Sequence, residues 1–264
     1  MINLKNQRGL SLVELMIALL LGLVLILGVS QITISSKQTY TVVNSQSQTQ
    51  ENARVVKHFL GRGLRHAGYW DDATTPMLFP ATGGFEENQI LMASNNDSTD
   101  AAVLDGTDSI TIRFNGSSDS QLRSCIGTVP SENQIIVDRY YVAPAGGTAP
   151  VARLMCSSQL QDLSGTVIST TVQPLIVGIE NLQIEFGIAG SGGITEYVGA
   201  GSVSDWSEIR SVRYALLATS NQDATGDENT RTYQLLDGET HAASGDSRMR
   251  QVQRDTIFLR NYRG

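Results

Sequence analysis

A long apolar run close to the amino terminus constrains this chain more than any other feature of its sequence. The run is Leu10–Val29, and Glu14 is its one acidic residue. A short leader with Lys5 and Arg8 precedes it and ends at Gly9. About twenty apolar residues suffice for a helix to cross a bilayer. Because a carboxylate inside such a run costs about 2.5–3.5 kcal/mol at mid-membrane, Glu14 is expected to meet a partner there.

A secretory signal peptide and a plain membrane anchor are the competing interpretations of this segment. A signal peptide ends in a small-residue cleavage site after its apolar stretch, and Ser30–Ser36 offers no convincing site of that kind. A plain anchor needs neither a glycine before the run nor a glutamate inside it. Lys5 and Arg8 precede the run, and the next basic residue is Lys37. This bias predicts a cytoplasmic amino terminus and an exported C-terminal part.

A resemblance to the type IV pilins and their pseudopilin relatives lies in the residues Gly9-Leu10-Ser11-Leu12-Val13-Glu14-Leu15. In that superfamily a membrane prepilin peptidase cuts after the glycine and methylates the new amine, and the fifth mature residue is glutamate. The resemblance therefore implies processing between Gly9 and Leu10 and an assembly role for Glu14. A carboxylate attracts an amine strongly in a low-dielectric setting.

The segment after the apolar run is predicted to continue the same helix, because the chain from Leu10 to Thr75 contains no proline. Gly68 and then Pro76 are expected to end it. One face carries an apolar stripe, made of Ala53, Val56, Leu60, Leu64 and Ala67. Basic residues between them indicate a solvated or head-facing rim rather than a partner site; they are Arg54, Lys57, His58, Arg62 and Arg65.

The rest of the chain is strand-rich and carries no helical pattern between successive strands, which favours an antiparallel sheet packed on the helix. The predicted fold class is α+β, of the type IV pilin kind. The predicted strands are Ser109–Phe114, Gln134–Val142, Ala152–Cys156, Leu182–Phe186, Ile209–Leu217 and Asp255–Arg260. The predicted surface loops are Ala81–Gly84, Ser94–Asp100, Ala145–Thr148, Gly187–Gly193 and Asn221–Thr230.

A second resemblance, to the PilW-type minor pilins, extends over nearly the whole chain. The J-type pseudopilins of type II secretion share part of it. The similar stretches are Gln50–Arg54, Leu64–Tyr69, Tyr140–Ala143, Gln173–Gly187, Val212–Leu217 and Phe258–Asn261. The expected organisation is a leader at 1–9, a transmembrane and filament-core helix at 10–30, an exported helix half at 31–68, and a β-rich periplasmic head at 69–264.

Charge and cysteine content agree with an exported head. The formal charge is −7, and loss of Lys5 and Arg8 with the leader leaves it more negative, so we expect no direct nucleic-acid binding. The chain has two cysteines, Cys125 and Cys156, and both lie in the part expected to be exported. An even number of cysteines in an oxidising compartment favours a disulfide over two buried free thiols.

Catalytic, metal and cofactor motifs are not evident in the sequence. His58 and His66 lack a zincin spacing, and His241 stands apart from them. Neither cysteine belongs to a C-x-x-C pair, so no metal site is expected. The acidic loop with Asp223, Asp227 and Glu228 departs from EF-hand spacing, and a solvated loop is preferred to calcium binding. No enzymatic activity and no cofactor are expected.

Two functions from different classes remain. The first is a minor pilin that takes part in initiation and assembly of a type IV pilus, at the tip. The second is a J-type pseudopilin of a secretion system, and gene neighbours would separate the two.

The expected partners are other minor pilins, the major pilin, the inner-membrane assembly platform, the prepilin peptidase and a tip adhesin. The expected location is the inner membrane with one span, then the pilus. Small residues at Ala18, Gly22 and Gly28 are expected to help helices associate.

Overall fold

The structure is a computed structural model that describes residues 9, 11–71, 79–119, 121–147, 149–224 and 227–262. Leu10, the basic leader residues and Pro76 lie outside the described residues. The chain forms two compact units, Met1–Asn44 and Ser45–Gly264. The first is helical from Leu12 to Asn44, and the second contains the β-sheets.

A single helix, α1, spans Leu12–His66, close to the predicted bounds. Its polar stretch at 39–50 is helical throughout. There the hydroxyls of Thr39, Thr41 and Thr49 donate to the carbonyls four residues earlier, so these side chains are satisfied within the helix. Gly68 follows with a φ of +75°, the left-handed conformation that commonly ends helices.

The β-structure comprises two larger antiparallel sheets and one short hairpin. The five-stranded sheet has the order β1-β2-β3-β4-β5, and the four-stranded sheet has the order β11-β8-β6-β7. β9 and β10 form the hairpin. The strands are β1 Leu91–Asp97, β2 Thr107–Asn115, β3 Gln134–Ala143, β4 Arg153–Asp162, β5 Val167–Val177, β6 Ile179–Gly190, β7 Gly193–Gly199, β8 Ile209–Thr219, β9 Thr232–Gln234, β10 Thr240–Ala242 and β11 Arg250–Phe258.

All six predicted strands are present, and two predicted loops are wrong in part. Most of Ser94–Asp100 belongs to β1, and Gly187–Gly193 is mainly a hairpin in which β6 and β7 pair directly. Gly187 is needed there because the strand packs closely against its neighbour, and it does not mark a loop. A Cβ at Gly187 would lie 2.3 Å from the Ser211 hydroxyl, so a glycine is required inside the strand.

The predicted apolar stripe of α1 is buried: Ala53, Val56, Leu60, Leu64 and Ala67 are each at most 2% exposed. They share one hydrophobic core with side chains from both larger sheets, including Ile112, Phe114, Tyr140, Leu182 and Phe186. Asn52 adds a polar contact, since its amide donates to the Val177 carbonyl at 2.8 Å. The second half of α1 thus forms part of the fold of the second unit.

Candidate assembly interface

The start of α1 is closed by a reciprocal capping box. The backbone N–H of Ser11 donates to Glu14 Oε2 at 2.9 Å, and the N–H of Glu14 donates to Ser11 Oγ at 3.2 Å. These two bonds satisfy donors that a helix start otherwise leaves free. This role was not predicted, although the S-x-x-E spacing before an apolar run is its signature. Glu14 therefore has a local structural role besides any role in assembly.

The first unit presents an almost continuous apolar surface. Leu12 is 75% exposed and Ile32 is 71% exposed, and the large side chains between them are all at least half exposed. The most apolar 18-residue window has a mean hydropathy of 2.9, and none of it is buried. An exposed apolar surface of this size indicates contact with lipid or with other protein surfaces.

Gly22 and Gly28 leave open positions on this surface. A Cβ at either position would meet nothing within 4 Å, so the fold of the described residues does not itself require a glycine there. Glycines in an apolar helix allow another backbone to approach closely. Their placement is consistent with helix association.

The basic rim of α1 is largely engaged within the chain. Arg54 pairs with Glu51, and Lys57 Nζ lies 3.3 Å from Asp255. Arg62 donates to the Ser124 carbonyl at 3.2 Å and lies over the Phe59 ring. Exposed ion pairs such as Arg54–Glu51 contribute little to stability. These contacts agree with the interpretation of the rim as a solvated and head-facing surface.

A disulfide joins Cys125 and Cys156, whose Cα atoms are 6.4 Å apart. Both cysteines are buried, and Asp138 lies beside them. Asp138 Oδ2 accepts from the Cys125 backbone N–H at 2.7 Å, and burial raises the pKa of this carboxyl to about 6. Because the two sulfurs are bonded to each other, they are not available as thiolate ligands for a metal.

The histidines are placed as core or surface residues rather than around a common site. The His66 ring packs edge-on against Phe114, with centroids 5.5 Å apart. His241 Nδ1 lies 3.3 Å from the Asn181 amide. Burial lowers the pKa of both histidines. His58 is exposed. Of the acidic loop residues, Asp223 accepts a hydrogen bond from the Ser247 backbone.

Two buried arginines that the sequence analysis did not single out organise loops of the second unit. Arg113 donates to the carbonyls of Pro80, Glu86 and Gln89, and burial lowers its pKa to about 10. Arg250 makes paired bonds with Glu180 and with Asp246. The bonds that Arg250 donates to Asp246 hold the pKa of that carboxyl well below its usual range. Much of each cluster is distant in sequence, because Glu180 is 70 residues from Arg250 and Pro80 is 33 residues from Arg113.

The long apolar helix and the antiparallel sheets form a type IV pilin-like fold. A type IV-like pilin from Thermus thermophilus is similar in structure, with a TM-score of 0.50 and 14% sequence identity, over 81% of this chain and 98% of that chain. At this identity the similarity concerns the fold. It confirms the predicted pilin-like α+β class.

The family matches concern the sequence directly. Residues 139–261 match the family model of type IV pilus-assembly protein W, and residues 4–30 match the prokaryotic N-terminal methylation motif. The resemblance to the PilW family is thereby confirmed: residues 139–261 of the chain are similar to type IV pilus-assembly proteins. A search of curated proteins finds no significant match.

Proposed function

We propose that this protein is a minor pilin that helps to initiate type IV pilus assembly and occupies the pilus tip. The observation that carries the proposal is the exposed apolar run, which is headed by Glu14 and lies within the methylation-motif match. The match of residues 139–261 to a pilus-assembly family supports the minor-pilin role. The partners proposed are other minor pilins, the major pilin, the assembly platform and a tip adhesin.

Before assembly the protein resides in the inner membrane, with its amino terminus in the cytoplasm and the β-rich unit in the periplasm. Prepilin peptidase cleaves after Gly9 and methylates the Leu10 amine. During assembly the apolar surface of α1 leaves the lipid and packs against the helices of neighbouring pilins. The Glu14 carboxylate then neutralises a Leu10 amine, either its own or that of the neighbour. An unpaired charge left in such a bundle costs about 3–5 kcal/mol.

Processing is tested by mass spectrometry of the protein from a host that contains prepilin peptidase. The expected mature chain begins at N-methyl-Leu10, and replacing Gly9 with a bulky residue should leave the leader attached. Assembled protein that retains Met1 would contradict the proposal.

The role of Glu14 is tested with three variants that separate its charge from its capping bonds. Glu14→Gln removes the charge and keeps a side chain able to complete the capping box. Glu14→Ala removes both, and Ser11→Ala removes one capping bond while the charge remains. Each variant is measured by its level in the inner membrane and its level in sheared pili, together with surface piliation.

We expect normal membrane levels for all three, with incorporation or piliation reduced alike for Glu14→Gln and Glu14→Ala and unchanged for Ser11→Ala. If Glu14→Gln assembles normally while Glu14→Ala and Ser11→Ala do not, Glu14 acts as a helix cap and the charge-pair proposal is wrong.

A further inference from the structure

Strand β5 is an exposed edge of the five-stranded sheet. Every residue from Val167 to Pro174 is exposed. Val167, Ile168 and Val172 are 49%, 54% and 50% exposed, and Leu163 in the preceding turn is 39% exposed. No charged residue occurs between Asp162 and Glu180, although the chain as a whole is acidic. Long uncharged edges rich in β-branched residues favour pairing with another strand.

The other three edges of the two larger sheets are protected. β1 has a register shift between Ser94 and Asp97, where Asn96 has a φ of +47°. β7 is short, has a register shift opposite Ile188–Ala189, and carries Glu196. β11 carries charged side chains, and its Asp255 pairs with Lys57. Bulges and charges are the usual protection of natural sheet edges, so the lack of charge on β5 distinguishes this edge from the others.

Pro174 indicates which backbone groups of β5 face outward. Its register partner is Met155 on β4, and the register between Ser169 and Pro174 is regular. Proline has no N–H, so on an edge strand it occupies a position that faces away from the sheet. Because backbone direction alternates along a strand, Val172 and Thr170 also direct their N–H and C=O groups outward. Within the described residues, no hydrogen bond from outside β4 reaches Val167–Gln173.

We propose that β5 pairs with β5 of a second copy of this chain, as an antiparallel two-fold interface centred on Thr171. In that register each Thr170 lies opposite Val172 of the other copy, and these residues exchange the outward-facing hydrogen bonds. Ser169 lies opposite Gln173, and Thr171 lies opposite itself. Every opposed pair is uncharged, so the strand meets its own copy without the repulsion that like charges would cause. This interface is independent of Glu14.

The register is tested by disulfide cross-linking of the full chain, in membranes and in detergent. Opposed residues of a non-hydrogen-bonded pair have Cα atoms about 4.5 Å apart, within the range that a disulfide spans. Thr171→Cys should therefore give a covalent dimer under mild oxidation. Ser169→Cys and Gln173→Cys should each stay monomeric alone, because the two copies of either residue are offset by four residues, about 14 Å along the strand at about 3.4 Å per residue. A mixture of these two variants should cross-link.

Val172→Pro provides a second measurement. It removes one outward N–H and leaves the bonds to β4 intact, so the Thr171→Cys dimer should be lost while the unfolding transition persists. The proposal is overturned if Thr171→Cys and the Ser169/Gln173 mixture stay monomeric, or if all single variants cross-link alike. It is also overturned if Thr171→Cys links to a different protein in cells, or if Val172→Pro leaves the dimer unchanged.

Discussion

Gly63 determines how closely α1 approaches the five-stranded sheet. A Cβ at this position would lie 2.5 Å from the Tyr140 hydroxyl and 3.2 Å from Ile112 Cδ1, and both of these side chains are buried. Glycine inside a helix costs about 1 kcal/mol relative to alanine. The close packing of helix against sheet therefore requires a residue that is unfavourable for the helix alone.

The first prediction contrasts Gly63→Ala with Gly61→Ala. We expect Gly63→Ala to lower the free energy of unfolding by about 1–3 kcal/mol, because the added methyl group overpacks the core. At Gly61 the nearest atom is the flexible end of Arg65, at 3.2 Å. Gly61→Ala should therefore be neutral, or stabilising by up to about 1 kcal/mol. Denaturant unfolding measures both, and equal effects would contradict the packing argument.

Asp138 shows how burial makes stability depend on pH. Its folded-state pKa is raised to about 6 because the carboxyl is buried. In the unfolded chain it titrates near its usual value of about 3.9. A carboxyl with a raised folded-state pKa favours the folded state while it is protonated. Its contribution to stability is therefore complete below about pH 4 and is lost as pH rises through 6.

The second prediction is that the stability of Asp138→Asn relative to the parent protein increases as pH rises from 4 to 7, by about 2–3 kcal/mol. The comparison cancels the opposite contributions of His66 and His241, whose pKa values are lowered by burial. Unfolding is measured for both proteins at several pH values in this range. A constant difference between them would show that Asp138 titrates alike in the folded and unfolded chains.

At the scale of elements, the carboxyl end of α1 receives hydrogen bonds from a residue almost two hundred positions away. Asn261 donates from its amide to the carbonyls of Arg65 and Ala67, at 3.0 and 3.2 Å. The last carbonyls of a helix lack partners within the helix. The carboxyl-terminal segment therefore adds a cap to the helix end that Gly68 forms locally.

The third prediction concerns this cap. Asn261→Ala should lower the free energy of unfolding by about 1–2 kcal/mol through the loss of two hydrogen bonds. Asn261→Asp should be worse, since a carboxylate cannot donate and is repelled by the negative end of the helix dipole. The exposed neighbour Arg260 is the control, and Arg260→Ala should have little effect. Thermal unfolding ranks the stabilities of the variants. An Asn261→Asp variant as stable as the parent protein would contradict the proposed cap.

The sequence predicted the elements whose signals are local. The apolar stripe and Gly68 located α1, and alternating β-branched residues located β2, β3 and β8. β1 was missed because Ser94–Asp97 contains turn-forming residues, and β5 was missed because Ser, Thr and Pro174 obscure its apolar pattern. Glu14 was singled out by its motif, and its role in assembly stays a prediction. Asn261, Arg113 and Arg250 were not singled out, since their partners are distant in sequence.

At the scale of the whole molecule, the disulfide constrains the unfolded chain as well as the folded one. Cys125 and Cys156 are 31 residues apart and enclose all of β3. Closing a loop of this length contributes about 3–4 kcal/mol in the chain-entropy model. The bond therefore adds a large fraction of the stability of a typical domain.

The fourth prediction is that replacing both cysteines by alanine lowers the free energy of unfolding by about 3–4 kcal/mol. The slope of that free energy against denaturant should increase, because the unfolded chain becomes more expanded. Denaturant unfolding of the parent and the double variant gives both quantities. Lower stability with an unchanged slope would assign the loss to packing in the folded state.

Burial of this disulfide also governs its chemical accessibility. Cys125 is 4% exposed and Cys156 is fully buried, and cleavage requires direct attack by a thiolate on a sulfur atom. A reductant can therefore act only on molecules that have opened. The rate at which the folded protein loses this bond in excess thiol should level off at a value independent of thiol concentration, and that value reports how often the second unit opens.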